Sequence, residues 1–242
     1  MRSPHIAALA AGTALMVPIS LLLAGCGGAA PGASLFPLDA GHRWVYEIKT
    51  ENESATPATE TLVMTSLGEE SIEGGRAFRR RADSGVDYWL RSDASGVYRV
   101  ASKSDLEAEP KPDAQPRYVL KAPIAPGTTW RADTTAYLLR RRAEFPPEIR
   151  HTHAGVPMTY TIDAVGLKLD TRAGSFSDCV RVKGTATMKL FVDPVAGWRD
   201  MPLLTTEWYC KGVGLVRLER DEPSNSNFLS GGKLTMELVS WP

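Results

Sequence analysis

From residue 36 onward, apolar and polar residues alternate in short runs separated by turn residues. Arg43 to Lys49 places Trp44, Tyr46 and Ile48 on one face. Thr61 to Leu67, Ala77 to Ala82, Val86 to Arg91 and Gly96 to Ala101 repeat the two-residue period. Ser92–Ser95 reads as a hairpin loop. Tyr118–Leu120, Met158–Leu169, Ser175–Thr187, Met188–Val192, Thr205–Cys210, Val213–Arg220 and Leu234–Ser240 read as further strands. Loops are expected over Glu107–Pro116, His151–Val156 and Pro223–Gly232. A helical turn is expected over Ala136–Glu144, ended by Phe145-Pro146-Pro147. No segment sustains a 3.6-residue apolar period. Roughly ten to thirteen short strands in sequence order predict an all-β fold. The expected form is a single strongly curved antiparallel sheet, an open or half β-barrel with short helical turns.

One internal echo stands out. Pro37-Leu38-Asp39-Ala40-Gly41-His42-Arg43-Trp44 has the same spacing of Pro, Gly and Trp as Pro123-Ile124-Ala125-Pro126-Gly127-Thr128-Thr129-Trp130. Gly suits a tight turn with positive φ, and Trp brings a large apolar surface to the strand that follows. The echo suggests two similar halves of one sheet, though it is too short to establish a repeat.

The N-terminus has a different pattern. Ile6 to Ala24 is an uncharged, mostly apolar run preceded by Arg2 and His5, and it ends in Leu23-Ala24-Gly25-Cys26. This ending resembles the lipobox of bacterial lipoproteins. The resemblance implies a signal peptide over residues 1–25 and acyl chains on Cys26, which anchor the protein to a membrane. An uncleaved membrane span and an ordinary secretory signal are the alternatives. Residues 26–35 then form a lipidated flexible tether, and residues 36–242 a β-rich periplasmic domain. Gly27 follows the cysteine, where Asp would favour inner-membrane retention. The resemblance therefore points to an outer membrane, with the domain facing the periplasm.

Charge excludes some partners. The chain carries 28 Lys and Arg against 28 Asp and Glu, so nucleic acid is not an expected partner. Besides Cys26 there are two cysteines, Cys179 and Cys210, both in strand-like runs. In an oxidising compartment such a pair reads as a structural disulfide, with two free buried thiols as the alternative.

A second resemblance lies in the domain itself. Phe36-Pro37-Leu38-x-x-Gly41-x-x-Trp44-x-Tyr46 resembles the opening of many bacterial lipoproteins of unknown function. Pro123-x-x-x-Gly127-x-x-Trp130, Gly174-Ser175-Phe176-x-Asp178-Cys179-Val180-x-Val182 and Trp208-Tyr209-x-x-Gly212-Val213-Gly214-Leu215-Val216 fit the same group. The resemblance implies a curved sheet similar in outline to the LolA/LolB type of periplasmic lipoprotein carrier. It brings no catalytic residues with it.

Catalytic signatures are weak. His151 and His153, with Glu148, could form a surface metal site on a strand, but loop histidines are more often solvated. His42 lacks a nucleophile motif around it, and no G-x-S-x-G elbow is present. Asp83 with Asp87, and Asp105 with Glu107, are carboxylate spacings that charged loops produce routinely. Arg79-Arg80-Arg81 and Arg140-Arg141-Arg142 read as solvated sheet edges, with lipid phosphate as the alternative contact. No enzyme activity, cofactor, catalytic residue or metal ligand is expected. The aromatic set Trp44, Tyr46, Trp89, Trp130, Trp208 and Tyr209 is the candidate wall of a hydrophobic-ligand site on the concave face. A fully packed core is its alternative. The expected function is that of a lipid-anchored envelope lipoprotein binding a hydrophobic small molecule or lipid. A structural or assembly subunit contacting an envelope protein is the second reading, and a hydrolase a remote third.

Overall fold

The computed structural model describes residues 32–53, 55–72, 74–141, 154–193, 195, 197–224 and 228–242. The expected signal peptide, Cys26, most of the expected tether, His151, His153 and Glu148 lie outside the described residues. A 3-10 turn over Ala33–Leu35 buries Leu35, so packed structure begins slightly before Phe36. The strands are β1 (Arg43–Asn52), β2 (Ala58–Ile72), β3 (Gly75–Ala82), β4 (Val86–Asp93), β5 (Gly96–Ser104), β6 (Lys111–Lys121) and β7 (Thr129–Thr135). They continue with β8 (Arg140–Arg141), β9 (Ala154–Thr171), β10 (Gly174–Asp193), β11 (Gly197–Cys210), β12 (Gly214–Glu222), β13 (Leu229–Ser230) and β14 (Gly232–Ser240).

Twelve of them form one antiparallel sheet in the order β6-β5-β4-β3-β2-β1-β14-β12-β11-β10-β9-β7; β8 and β13 pair separately. The first and last strands meet in the middle through the β1–β14 ladder. The two edge strands, β6 and β7, are neighbours in sequence. The sheet curls until Trp130 Nε1 on β7 donates to Tyr118 O on β6 at 3.2 Å. The all-β expectation holds, with the sheet closed further than a half-barrel. A seam without a ladder remains between β6 and β7.

The internal echo has a structural counterpart. Gly41 and Gly127 adopt φ of +92° and +91°, a conformation that side chains with a Cβ rarely take. Gly41 N donates to Ser66 O while Ser66 N donates to His42 O. Gly127 N donates to Ile162 O while Ile162 N donates to Thr128 O. Trp44 then opens β1 and Trp130 opens β7. The barrel is thus two six-stranded meanders, β1–β6 and β7, β9–β12 plus β14, each begun by the same turn.

Local readings needed correction in several places. Glu107–Pro116 is not all loop, because β6 starts at Lys111; Pro112 and Pro116 are tolerated on the sheet's edge strand, whose outer side needs no donors. The expected helical turn after Ala136 is absent among the described residues. Backbone N–H groups of Tyr137, Leu138 and Leu139 bond the Glu222 carboxylate instead. Ser175–Thr187 and Met188–Val192 are one strand, β10. The expected polar loop 223–232 contains β13.

Candidate functional site

The core does not fill the barrel. Between the two halves lies a cavity of about 340 Å³, bounded mainly by apolar side chains. Its wall includes Phe36, Leu62, Met64, Leu90, Val119, Ala132, Leu215 and Met236, with tyrosines 46, 88, 118, 160 and 209. Alternation along the strands puts these residues on the concave face. Four charged residues join them: Arg80, Arg99, Arg117 and Glu207.

A second, more polar hollow of about 680 Å³ shares Tyr88, Arg99, Arg117 and Ala132 with the first. It runs over Asp113–Pro116 of β6 and Arg131–Thr135 of β7, where the two edges face each other without a ladder. The seam therefore gives the apolar cavity a polar vestibule.

Arg80 is the unusual residue of the wall. It is only 7% exposed. Its Cζ lies 4.2 Å from the ring centroids of both Phe36 and Trp44. Nη2 donates to Pro37 O at 2.5 Å, and Nε has no hydrogen-bond partner. No carboxylate pairs with it among the described residues. Burial pulls its pKa down to about 10, so it stays cationic at neutral pH. Arg99, by contrast, is forked onto Asp113, with Nε–Oδ2 at 2.7 Å. Arg117 has no ion pair among the described residues.

Glu207 faces the cavity and accepts a hydrogen bond from the Tyr209 hydroxyl. Desolvation pushes the Glu207 carboxyl above its ordinary range. The same desolvation, together with Glu207, pushes the Tyr209 hydroxyl well up. Burial also raises Tyr160, to about 12.

The aromatic residues singled out from the sequence are dispersed. Tyr46 and Tyr209 line the cavity. Trp44, 1% exposed, plugs one end of the barrel, and its Nε1 donates to Val213 O at 2.7 Å. Trp130 stacks on Tyr160 and closes the seam. Trp89 belongs to a small cluster with Ala77 and Ala101 on the opposite face, where it bonds Glu70 under Arg79. Trp208 alternates with Glu207 and Tyr209, so it too points away from the cavity. Four of the six aromatic residues read as the candidate wall therefore do not line the cavity, because strand parity and position along the barrel exclude them.

Other candidates resolve similarly. Cys179 and Cys210 form a disulfide across β10 and β11, directly opposite each other and fully buried. Asp87, buried at 3% exposure, is clamped by Arg79 and Arg81 and does not pair with Asp83. Arg81 also holds Asp105. The basic triplet is therefore not a uniform solvated edge: its outer members are ion-paired and its middle member turns inward. His42 stacks on Trp44 at 5.4 Å. Among the described residues, no three His, Cys, Asp or Glu side chains gather as a metal ligand set. Tyr88, Tyr160 and Glu207 were not singled out from the sequence, and Arg80 only within a basic triplet read as a solvated edge. Their only signal was a place in alternating runs, shared with many surface residues.

No protein-family model matches the chain, and no curated protein matches it significantly. Two solved structures align with it. One is a candidate lipoprotein of Parabacteroides distasonis ATCC 8503, at 14% identity and TM-score 0.42, covering 86% of this chain and 98% of that one. The other is a candidate exported protein with a YmcC-like fold from Bacteroides fragilis NCTC 9343, at 14% identity and TM-score 0.37, with the same coverage. Likeness at this level carries no information on ligand, partner or chemistry.

Proposed function

We propose that this chain is a lipid-anchored, non-enzymatic envelope lipoprotein that holds an apolar small molecule inside its barrel, facing the periplasm from the outer membrane. One observation carries the binding part: an apolar cavity of about 340 Å³ reached through a polar vestibule at an unpaired seam. That volume falls at the lower end of the range for small-molecule sites, roughly 300–1,000 Å³. The lipobox-like ending at Cys26 supports the anchoring part. The twelve-stranded sheet lies within residues 43–240, so the chain from residue 26 with Cys26→Ser is a suitable form for study. Purified without detergent from periplasm, it is expected to carry a reproducible apolar adduct by native mass spectrometry. Ala132→Trp, which fills the cavity from β7, is expected to remove that adduct. An adduct that survives in Ala132→Trp places the molecule elsewhere and overturns the reading.

An exposed apolar cluster favours a second reading, that of an assembly subunit. Phe191 and Trp198 pack edge-to-face where β10 turns into β11, with Trp198 63% exposed and Val195 almost fully so. Such a patch fits a protein contact in the envelope. Crosslinking in intact cells, compared with Phe191→Ser/Trp198→Ser, tests it. An unchanged crosslinking pattern argues against it.

A further inference from the structure

The two halves of the barrel begin with the same turn and pair their strands in the same order, yet Arg80 on the concave face has an apolar counterpart in the second half. In the first half Ser66 pairs with Arg80, and Arg80 with Tyr88. In the second half Ile162, which makes the same backbone bonds as Ser66, pairs with Val182, and Val182 with Glu207. Val182 is fully buried and apolar. The fold is therefore satisfied by valine where the first half carries arginine.

That substitution is costly. A buried guanidinium without a carboxylate loses its hydration and recovers only part of it from ring faces and a carbonyl. The Phe36 and Trp44 rings lie close to the guanidinium carbon, and Pro37 O takes one donor. Nε is left unpaired. The other cationic wall residue without an ion pair is Arg117, at the vestibule. The one wall carboxylate, Glu207, is biased towards its neutral form by desolvation. The cavity is thus apolar in surface and positive in charge.

We propose that the ligand is an apolar monocarboxylate, its acid group held by the Arg80 guanidinium and its body filling the tyrosine- and aliphatic-lined space towards the seam. This rests on the cavity reading above and adds the chemical class. Arg suits the task because its planar donors match a carboxylate and it stays charged when buried. A volume near 340 Å³ suits a single-chain or compact aromatic acid.

The test uses the chain from residue 26 with Cys26→Ser and three probes sharing one alkyl chain: decanoate, decan-1-ol and decyltrimethylammonium. Binding is measured by isothermal titration calorimetry below micelle concentrations. Decanoate is expected to bind about ten- to a hundredfold tighter than decanol, the ratio for a hydrogen bond to a buried charge. The ammonium probe should be weakest. In Arg80→Met the decanoate preference should vanish while decanol binding persists, which also shows that the variant is folded. Phenylbutyrate in place of decanoate separates an aromatic from an aliphatic body. Equal binding of decanoate and decanol by the unaltered cavity overturns the monocarboxylate assignment and leaves the cavity reading standing. Tightest binding of the ammonium probe overturns it in favour of Glu207. Absence of binding by every probe overturns both.

Discussion

Glu222 offers the sharpest test of what holds the vestibule together. Its side chain is fully buried at the end of β12. Oε2 accepts from the backbone N–H of Tyr137 at 3.1 Å, Leu138 at 2.8 Å and Leu139 at 3.0 Å, and Oε1 from Arg220 Nε at 2.5 Å. Arg220, also buried, donates further to Thr134 Oγ1 and Thr135 O. One carboxylate and its arginine thereby tie the end of β7 and the segment after it, with vestibule residues Thr134, Thr135 and Tyr137, to the end of β12. Glu222→Ala leaves three N–H groups and one buried guanidinium unbalanced. Breaking a buried pair from one side costs about 3–5 kcal/mol. For a chain of this size that is a fall of about 6–20 °C in Tm. The same cost lowers the urea midpoint by about 1–2 M, with the slope unchanged. A double-mutant cycle with Arg220→Met isolates the pair and should return a coupling of about 1–3 kcal/mol. A loss below about 1 kcal/mol in Glu222→Ala, with no measurable coupling, would refute the tie.

Cys179→Ala/Cys210→Ala opens a cross-link between residues 31 apart and should lower stability by about 3–4 kcal/mol, read from urea midpoints; an unchanged midpoint refutes it. Glu207 has a raised folded-state pKa, so its contribution is fully present below the ordinary carboxyl range and is lost as pH rises through the raised value. Glu207→Gln should therefore gain on the unaltered protein as pH rises above the ordinary carboxyl range, and parallel stability curves would contradict this. At Gly184 an added Cβ would lie 2.3 Å from Thr205 Oγ1 and 2.7 Å from Met158 Sδ, both inside the core. Gly184→Ala should cost about 1–3 kcal/mol by thermal melting, and a neutral result would mean that the two side chains can move aside.

Sequence pattern by itself determined most of the strands, because side-chain alternation has period two whatever the partner strand; β13 and the start of β6 fell in Pro-rich or polar stretches that read as loop. It also located the paired turns at Gly41 and Gly127, since positive φ and a following Trp leave a mark in spacing. It placed both cysteines on strands but could not bring them face to face. Only the tertiary structure decided which parity faces inward. Trp208 and Tyr209 are equal candidates in the sequence, yet closure of the sheet puts only Tyr209 on the cavity. The triplet Arg79-Arg80-Arg81 reads as surface charge because arginine is seldom buried. The curl of β3 under Phe36 and Trp44 turns its middle member inside. Glu222 likewise ends a charged run, Glu219-Arg220-Asp221-Glu222, and nothing local marks it as buried. Its backbone N–H partners lie more than eighty residues away. Burial of a charge depends on which distant groups compensate it, and only the closed barrel brings those groups together.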